Sequence, residues 1–159
     1  MRHKIWFGFL SSLLLFNACY KTPEYPDTPA IEFDSYTVAQ PYTVGDPGYI
    51  RINFTDGGGD FGRLNNSTVD SSCFITNSIF HTTLKYVIPV IPKNGTSDNI
   101  SGTIDIDLKS VLDSLGCEGI LYQYDYPFDT VSYEIVVKDR SGHYSNTITT
   151  PPLIFKCRN

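Results

Sequence analysis

The sequence predicts an all-β fold, and three observations carry the prediction. Apolar and polar residues alternate over several short stretches, which is the period of a strand with one buried face. Turn-forming residues punctuate those stretches, with 12 Gly and 10 Pro among 159 residues, as expected of short strands joined by loops. Helical periodicity is confined to one brief segment.

The alternation is clearest in three places. Over 49–55, Ile50, Ile52 and Phe54 alternate with Arg51, Asn53 and Thr55. Over 103–108, Ile104, Ile106 and Leu108 alternate with Asp105 and Asp107. Over 131–138, Val131, Tyr133, Ile135 and Val137 share one face. Segments 31–38, 73–80, 84–91 and 144–155 are further strand candidates, and Pro89 and Pro151-Pro152 put the last two at edges or kinks. Together these make an immunoglobulin-like, two-sheet antiparallel β-sandwich of about seven strands. One short helix is expected before the sixth strand: Leu108, Val111, Leu112 and Leu115 follow i, i+3, i+4, i+7 spacing, with Asp107 as N-cap and Gly116 just past the end.

The beginning of the chain has a different character. Arg2 and Lys4 precede an apolar run from Ile5 to Phe16. That run is shorter than the roughly 20 residues a membrane span requires, so residues 1–18 read as a signal peptide. Leu15-Phe16-Asn17-Ala18-Cys19 resembles a bacterial lipobox, which makes Cys19 the lipidated residue and new N-terminus. The alternative is an ordinary secretory signal with an incidental cysteine. Residues 19–30 then form the lipidated Cys and a tether in which Pro23, Pro26 and Pro29 favour extended backbone. Its reach is roughly 30 Å at ~3.1 Å per residue. Residues 31–159 make the sandwich domain. The expected location is the cell envelope, lipid-anchored, with Tyr20 after Cys19 favouring the outer membrane (periplasmic or surface-facing).

Charge and cysteine usage narrow the partners. The formal charge is −5, and removing Arg2 and Lys4 with the leader takes it to −7. Such an acidic chain with no basic cluster does not suit nucleic acid. The membrane is met through the lipid, and an envelope protein or a glycan is the expected further partner. Cys73, Cys117 and Cys157 allow one disulfide and three pairings. With strand 49–55 running toward the loop of Asp56, strand 103–108 and the last strand both run away from it. Cys117 and Cys157 therefore belong at the opposite end and are the expected pair, while Cys73 packs as a small hydrophobe. No Cys or His spacing suggests zinc.

Two loops carry the chemistry. The first is Phe54-Thr55-Asp56-Gly57-Gly58-Gly59-Asp60-Phe61-Gly62. The second is the hairpin Asp139-Arg140-Ser141-Gly142-His143-Tyr144-Ser145-Asn146, followed by Thr149-Thr150-Pro151. With the lipobox and Pro-rich tether, these loops resemble those of small, largely uncharacterised Bacteroidota lipoproteins that carry F-x-D-G-D-G-D-x-G and a late D-R-x-G-x-x-S-N. The resemblance covers nearly the whole chain. It implies an immunoglobulin-like sandwich at the cell envelope and brings no activity. It also implies a calcium loop, since alternating carboxylates can converge on a hard cation. Gly58 stands where the resemblance expects the middle aspartate, which leaves Asp56 and Asp60. In a sandwich of this kind the loops at 56–62 and 139–143 share one end, so Asp139 is a third candidate ligand. The competing reading is structural: a Gly-rich turn, with Asp139 capping its own hairpin.

Tyr122, Tyr124 and Tyr126 fall on one face of an extended segment and suit a partner-binding platform for sugar or protein, the alternative being that they cover a sheet edge or pair across the sheet. Catalysis is not expected. His81 and His143 lie in separate loops, no nucleophile has a recognisable setting, and Asp105 and Asp107 read as a solvated face. The expected function is therefore a non-catalytic envelope lipoprotein, a binding or accessory module displayed by its anchor. The alternative is a calcium-stabilised structural spacer within a larger envelope complex.

Overall fold

Alternation in the sequence becomes burial on one face of each strand. A computed structural model describes residues 23–62, 72–89, 91, 98–113 and 129–156. In β3 (Tyr49–Asp56) the side chains of Ile50, Ile52 and Phe54 point into the core. Ile104 and Ile106 of β6 (Ile100–Asp107) and Tyr133, Ile135 and Val137 of β8 (Tyr133–Lys138) do the same. Burying each such aliphatic side chain stabilises the fold by about 1.5–3 kcal/mol, and this is what closes two sheets face to face.

One sheet has the order β1-β3-β6, with β1 at Ala30–Tyr36. The other has the order β5-β4-β8-β9, with β4 at Ser72–Asn77, β5 at Thr83–Val87 and β9 at Ile148–Thr149. All of these pairings are antiparallel. A small third sheet, β2-β10-β7, is built from β2 (Tyr42–Thr43), β7 (Asp129–Val131) and β10 (Leu153–Lys156). It continues the second, because β7 and β8 are one chain segment broken at Ser132, and β9 and β10 are one segment broken by Pro151 and Pro152, which cannot donate to a ladder. The second and fifth long strands thus pair in one sheet while the third, sixth and seventh pair in the other. This is the immunoglobulin-like arrangement expected from the sequence.

Helix α1 (Leu108–Asp113) follows β6 directly. Asp107 caps it: its Oδ1 accepts from the Lys109 amide at 3.2 Å and its Oδ2 from the Ser110 hydroxyl at 2.9 Å. Leu115 and Gly116 lie outside the described residues. The third long strand is shorter than the sequence pattern suggests. Asn77 Oδ1 accepts the amides of Ile79 and Phe80 at 3.1 and 2.7 Å, and this local turn ends β4 at Asn77.

Register fixes what meets at each end. Ala30 pairs with Thr55, Asp56 with Ile100, and Ser72 with Lys138. The entry to β1, the exit of β3, the start of β6 and the end of β8 therefore share one end of the sandwich. Asn146 ties the two sheets together there, accepting from the Ile31 amide and donating to its carbonyl, both at 2.9 Å. Among the described residues no helix is long and apolar enough to cross a membrane.

Residues 25–29, expected to be part of a free tether, pack against the sandwich. The Gly57 amide donates to the Pro26 carbonyl at 2.8 Å, and the Tyr25 amide to Asn99 Oδ1 at 2.6 Å. Pro29 is buried. Polyproline backbone leaves its own carbonyls and amides unpaired, so a loop at the strand end can take them up.

Candidate metal centre

The shared end brings together three carboxylates from two loops. Asp56 is the last residue of β3, Asp60 lies four residues on, and Asp139 follows β8. Each offers an oxygen, and the three oxygens lie within 4.8 Å of one another. Asp56 and Asp139 are buried, and Asp60 is half-buried.

Backbone amides hold these carboxylates in place. The Asp60 amide donates to Asp56 Oδ2 at 3.1 Å, and the Ser141 amide donates to Asp60 Oδ2 at 2.9 Å. Asp139 Oδ1 accepts from the Gly142 and His143 amides at 2.6 and 2.8 Å, and its Oδ2 meets His143 Nδ1 at 2.9 Å. Asp139 thus caps its hairpin, as the structural reading of the sequence has it, and also faces the other two acids. Asp56 Oδ1 and Asp60 Oδ1 are buried and without a hydrogen-bond partner among the described residues. A buried carboxylate oxygen that accepts nothing costs several kcal/mol, so this pair requires compensation.

Arg140 does not supply it, and Arg63 lies outside the described residues. Arg140 reaches into the first loop, but its guanidinium donates to backbone carbonyls: Gly62 at 2.5 Å, Phe61 at 3.4 Å and Gly59 at 3.5 Å. Its amide donates to the Asp60 carbonyl at 3.3 Å. No ion pair to Asp56 or Asp60 occurs among the described residues. Arg140 fixes the shape of the loop through these carbonyls and does not pair with the Asp56 or Asp60 carboxylate. Two ionised carboxylates at this spacing repel by on the order of 3–4 kcal/mol at an effective dielectric constant of about 20. Burial raises the Asp56 pKa above the ordinary carboxylate value, and the charge of Asp60, then that of Asp139, adds to the rise. The amide bond from Asp60 opposes it.

This donor set fits a hard divalent cation. In Asp56 and Asp60, one oxygen is held by an amide and the other is left over, the pattern of a monodentate ligand with its orientation set from behind. Calcium takes oxygen ligands at about 2.3–2.6 Å in flexible geometry, and one ion can bridge oxygens at the separation found here. The residues also explain the glycines. Gly59 has φ +62° and packs against the backbone of Asp98, where a side chain would not fit. At Gly58 a Cβ would sit 3.0 Å from Asp60 Oδ1, so a side chain there would enter the carboxylate cluster.

The remaining sequence candidates fall elsewhere. Cys19, Cys117, Cys157, Tyr122, Tyr124 and Tyr126 lie outside the described residues. Cys73 is fully buried in β4, and burial pushes its thiol up to about 12, which leaves no reactive thiolate. Asp105 is exposed on its strand, where Arg51 holds both its oxygens, at 2.7 and 2.8 Å. The roles of Arg140, of the Ser141 amide and of Pro26 were not readable from the sequence, because each depends on which loops the sheets bring together. Comparison with protein-family profiles, with curated proteins and with solved structures finds no match to this chain.

Proposed function

We propose that this protein is a non-catalytic module of the cell envelope, anchored through lipidated Cys19, whose sandwich is stapled at its tether-proximal end by a calcium ion. The observation that carries the reading is the meeting of three carboxylates within 4.8 Å, two of which, Asp56 and Asp60, keep a buried oxygen with no hydrogen-bond partner among the described residues. Calcium there would neutralise a repulsive cluster and join the loop after β3 to the loop after β8. Each sheet contributes one of these loops, so the ion would link the sheets at the end where the tether enters. That is the work of a structural spacer or accessory module, and no reaction is needed to account for the site.

Titration calorimetry on chelator-treated protein tests the reading. Calcium is expected to bind at one site per chain, and Asp56→Asn is expected to remove most of the binding. Binding that survives Asp56→Asn and Asp60→Asn together would place the ion elsewhere.

A further inference from the structure

The loop that carries the acids also carries the tether. Gly57 and Gly58 sit between Asp56 and Asp60, and three consecutive carbonyls of the tether face them. The Pro26 carbonyl accepts from the Gly57 amide at 2.8 Å. A Cβ on Gly57 would collide with the Tyr25 carbonyl and lie 2.8 Å from the Pro26 carbonyl carbon. A Cβ on Gly58 would lie 3.7 Å from the Asp27 carbonyl oxygen. Loop and tether therefore meet backbone to backbone, and at Gly57 the approach is one that only glycine allows.

We infer that cation binding and tether docking are one coupled equilibrium, in which calcium closes the loop 56–60 and the closed loop holds the tether against the sandwich. The inference rests on the calcium reading and goes beyond it. The Asp60 amide bond to Asp56 Oδ2 defines the closed loop and, with it, the direction of the Gly57 amide. Without an ion, charged Asp56 and Asp60 relieve their repulsion by separating, and the segment between them carries Gly57 away from Pro26. With an ion the two acids are drawn together and the Pro26 carbonyl finds its donor. Coupling of this kind is reciprocal, so docking strengthens cation binding by the same factor.

The consequence is mechanical. An undocked tether reaches roughly 30 Å from Cys19, at ~3.1 Å per residue. With residues 25–27 docked, only residues 20–24 remain, with a reach of roughly 15 Å. Calcium would then set how far the domain stands from the lipid surface to which Cys19 is attached.

Amide hydrogen exchange on the full chain in detergent micelles, with calcium or with chelator, tests this directly. The Tyr25 amide is the reporter, since its bond goes to the side-chain oxygen of Asn99 and not to Asp56, Asp60 or Asp139. Calcium is expected to slow its exchange about fivefold or more, the lower end of common coupling strengths. Gly57→Ala is expected to abolish that protection and to weaken calcium binding by the same factor, with exchange in β8 unchanged. If calcium binds while Tyr25 exchange stays the same, or if Gly57→Ala binds calcium like the wild type, the coupling is overturned and the metal site stands. If the wild type binds no calcium, both fall. The wild-type comparison needs no variant, so a Gly57→Ala chain that fails to fold leaves the test intact.

Discussion

The Asp60 amide donates to Asp56 Oδ2 at 3.1 Å, while the Oδ1 of each residue is buried with no hydrogen-bond partner among the described residues. That bond orders the Asp56 carboxylate, the Ser141 amide orders Asp60 through Oδ2, and each acid keeps one oxygen over. In the absence of a cation this closed arrangement is destabilised by the repulsion between its own acids. With a cation it is a preorganised ligand set. Opposite effects on stability follow from the same geometry.

Asp56→Asn separates the two effects. In chelator the variant is expected to be more stable than the wild type by roughly 1–2 kcal/mol, because a buried charge and its repulsions are gone. In calcium the order is expected to reverse, since the variant loses a ligand. Urea midpoints measured for both proteins in both conditions check the crossing.

The pH dependence has a definite sign. Folding raises the Asp56 pKa above the ordinary 3.8, chiefly through burial and then through the Asp60 charge. A carboxylate shifted upward contributes fully below its unfolded value and loses that contribution as pH rises through the folded value. In chelator, the wild type minus Asp56→Asn stability difference is therefore expected to become less favourable as pH rises from about 4. In calcium the ion favours the ionised form and the slope is expected to reverse. Denaturation series across this range, with and without chelator, give both slopes.

Gly58→Asp tests the site by adding to it. A Cβ at this position points at Asp60 Oδ1, and the backbone there does not require a left-handed conformation. A fourth carboxylate is expected to raise calcium affinity about tenfold or more, since affinity in such loops follows the count of charged ligands. It is also expected to lower stability in chelator, by one more like-charge contact. Calorimetry and a thermal melt read the two effects separately.

Much of the fold was legible because it depends on local period. Ile50, Ile52 and Phe54, and Val131, Tyr133, Ile135 and Val137, announce buried faces by alternation, and each is buried. Asp107 was legible as a helix cap because capping is set by neighbours one turn away. The end of β4 was not, since it rests on one side chain, Asn77, outcompeting the ladder. The meeting of Asp56, Asp60 and Asp139 could be reasoned from topology. The hydrogen bonds that leave two oxygens without partners could not, because they depend on loop conformations no periodicity encodes. Docking of the tether was hidden for a related reason: Pro spacing reports a preference for extended backbone and says nothing about which carbonyl finds a donor.

The anchor is open to a separate test. Cys19→Ala is expected to abolish acylation, leaving a product that no longer partitions with detergent-extracted lipoproteins. Metabolic labelling with a fatty acid followed by phase partition reads this. Unchanged acylation of the variant would remove the lipid anchor from the proposal without touching the metal site.

The most direct measurement is a thermal melt of the chelator-treated protein with and without millimolar calcium. An ion that binds only the folded state stabilises it by about 2.7 kcal/mol at 100 times its dissociation constant. For a chain of this size the melting temperature is expected to rise by several degrees in calcium, and the rise is expected to vanish in Asp56→Asn. Identical melts of the wild type in calcium and in chelator would contradict the calcium staple and leave Asp56, Asp60 and Asp139 as turn and cap residues alone.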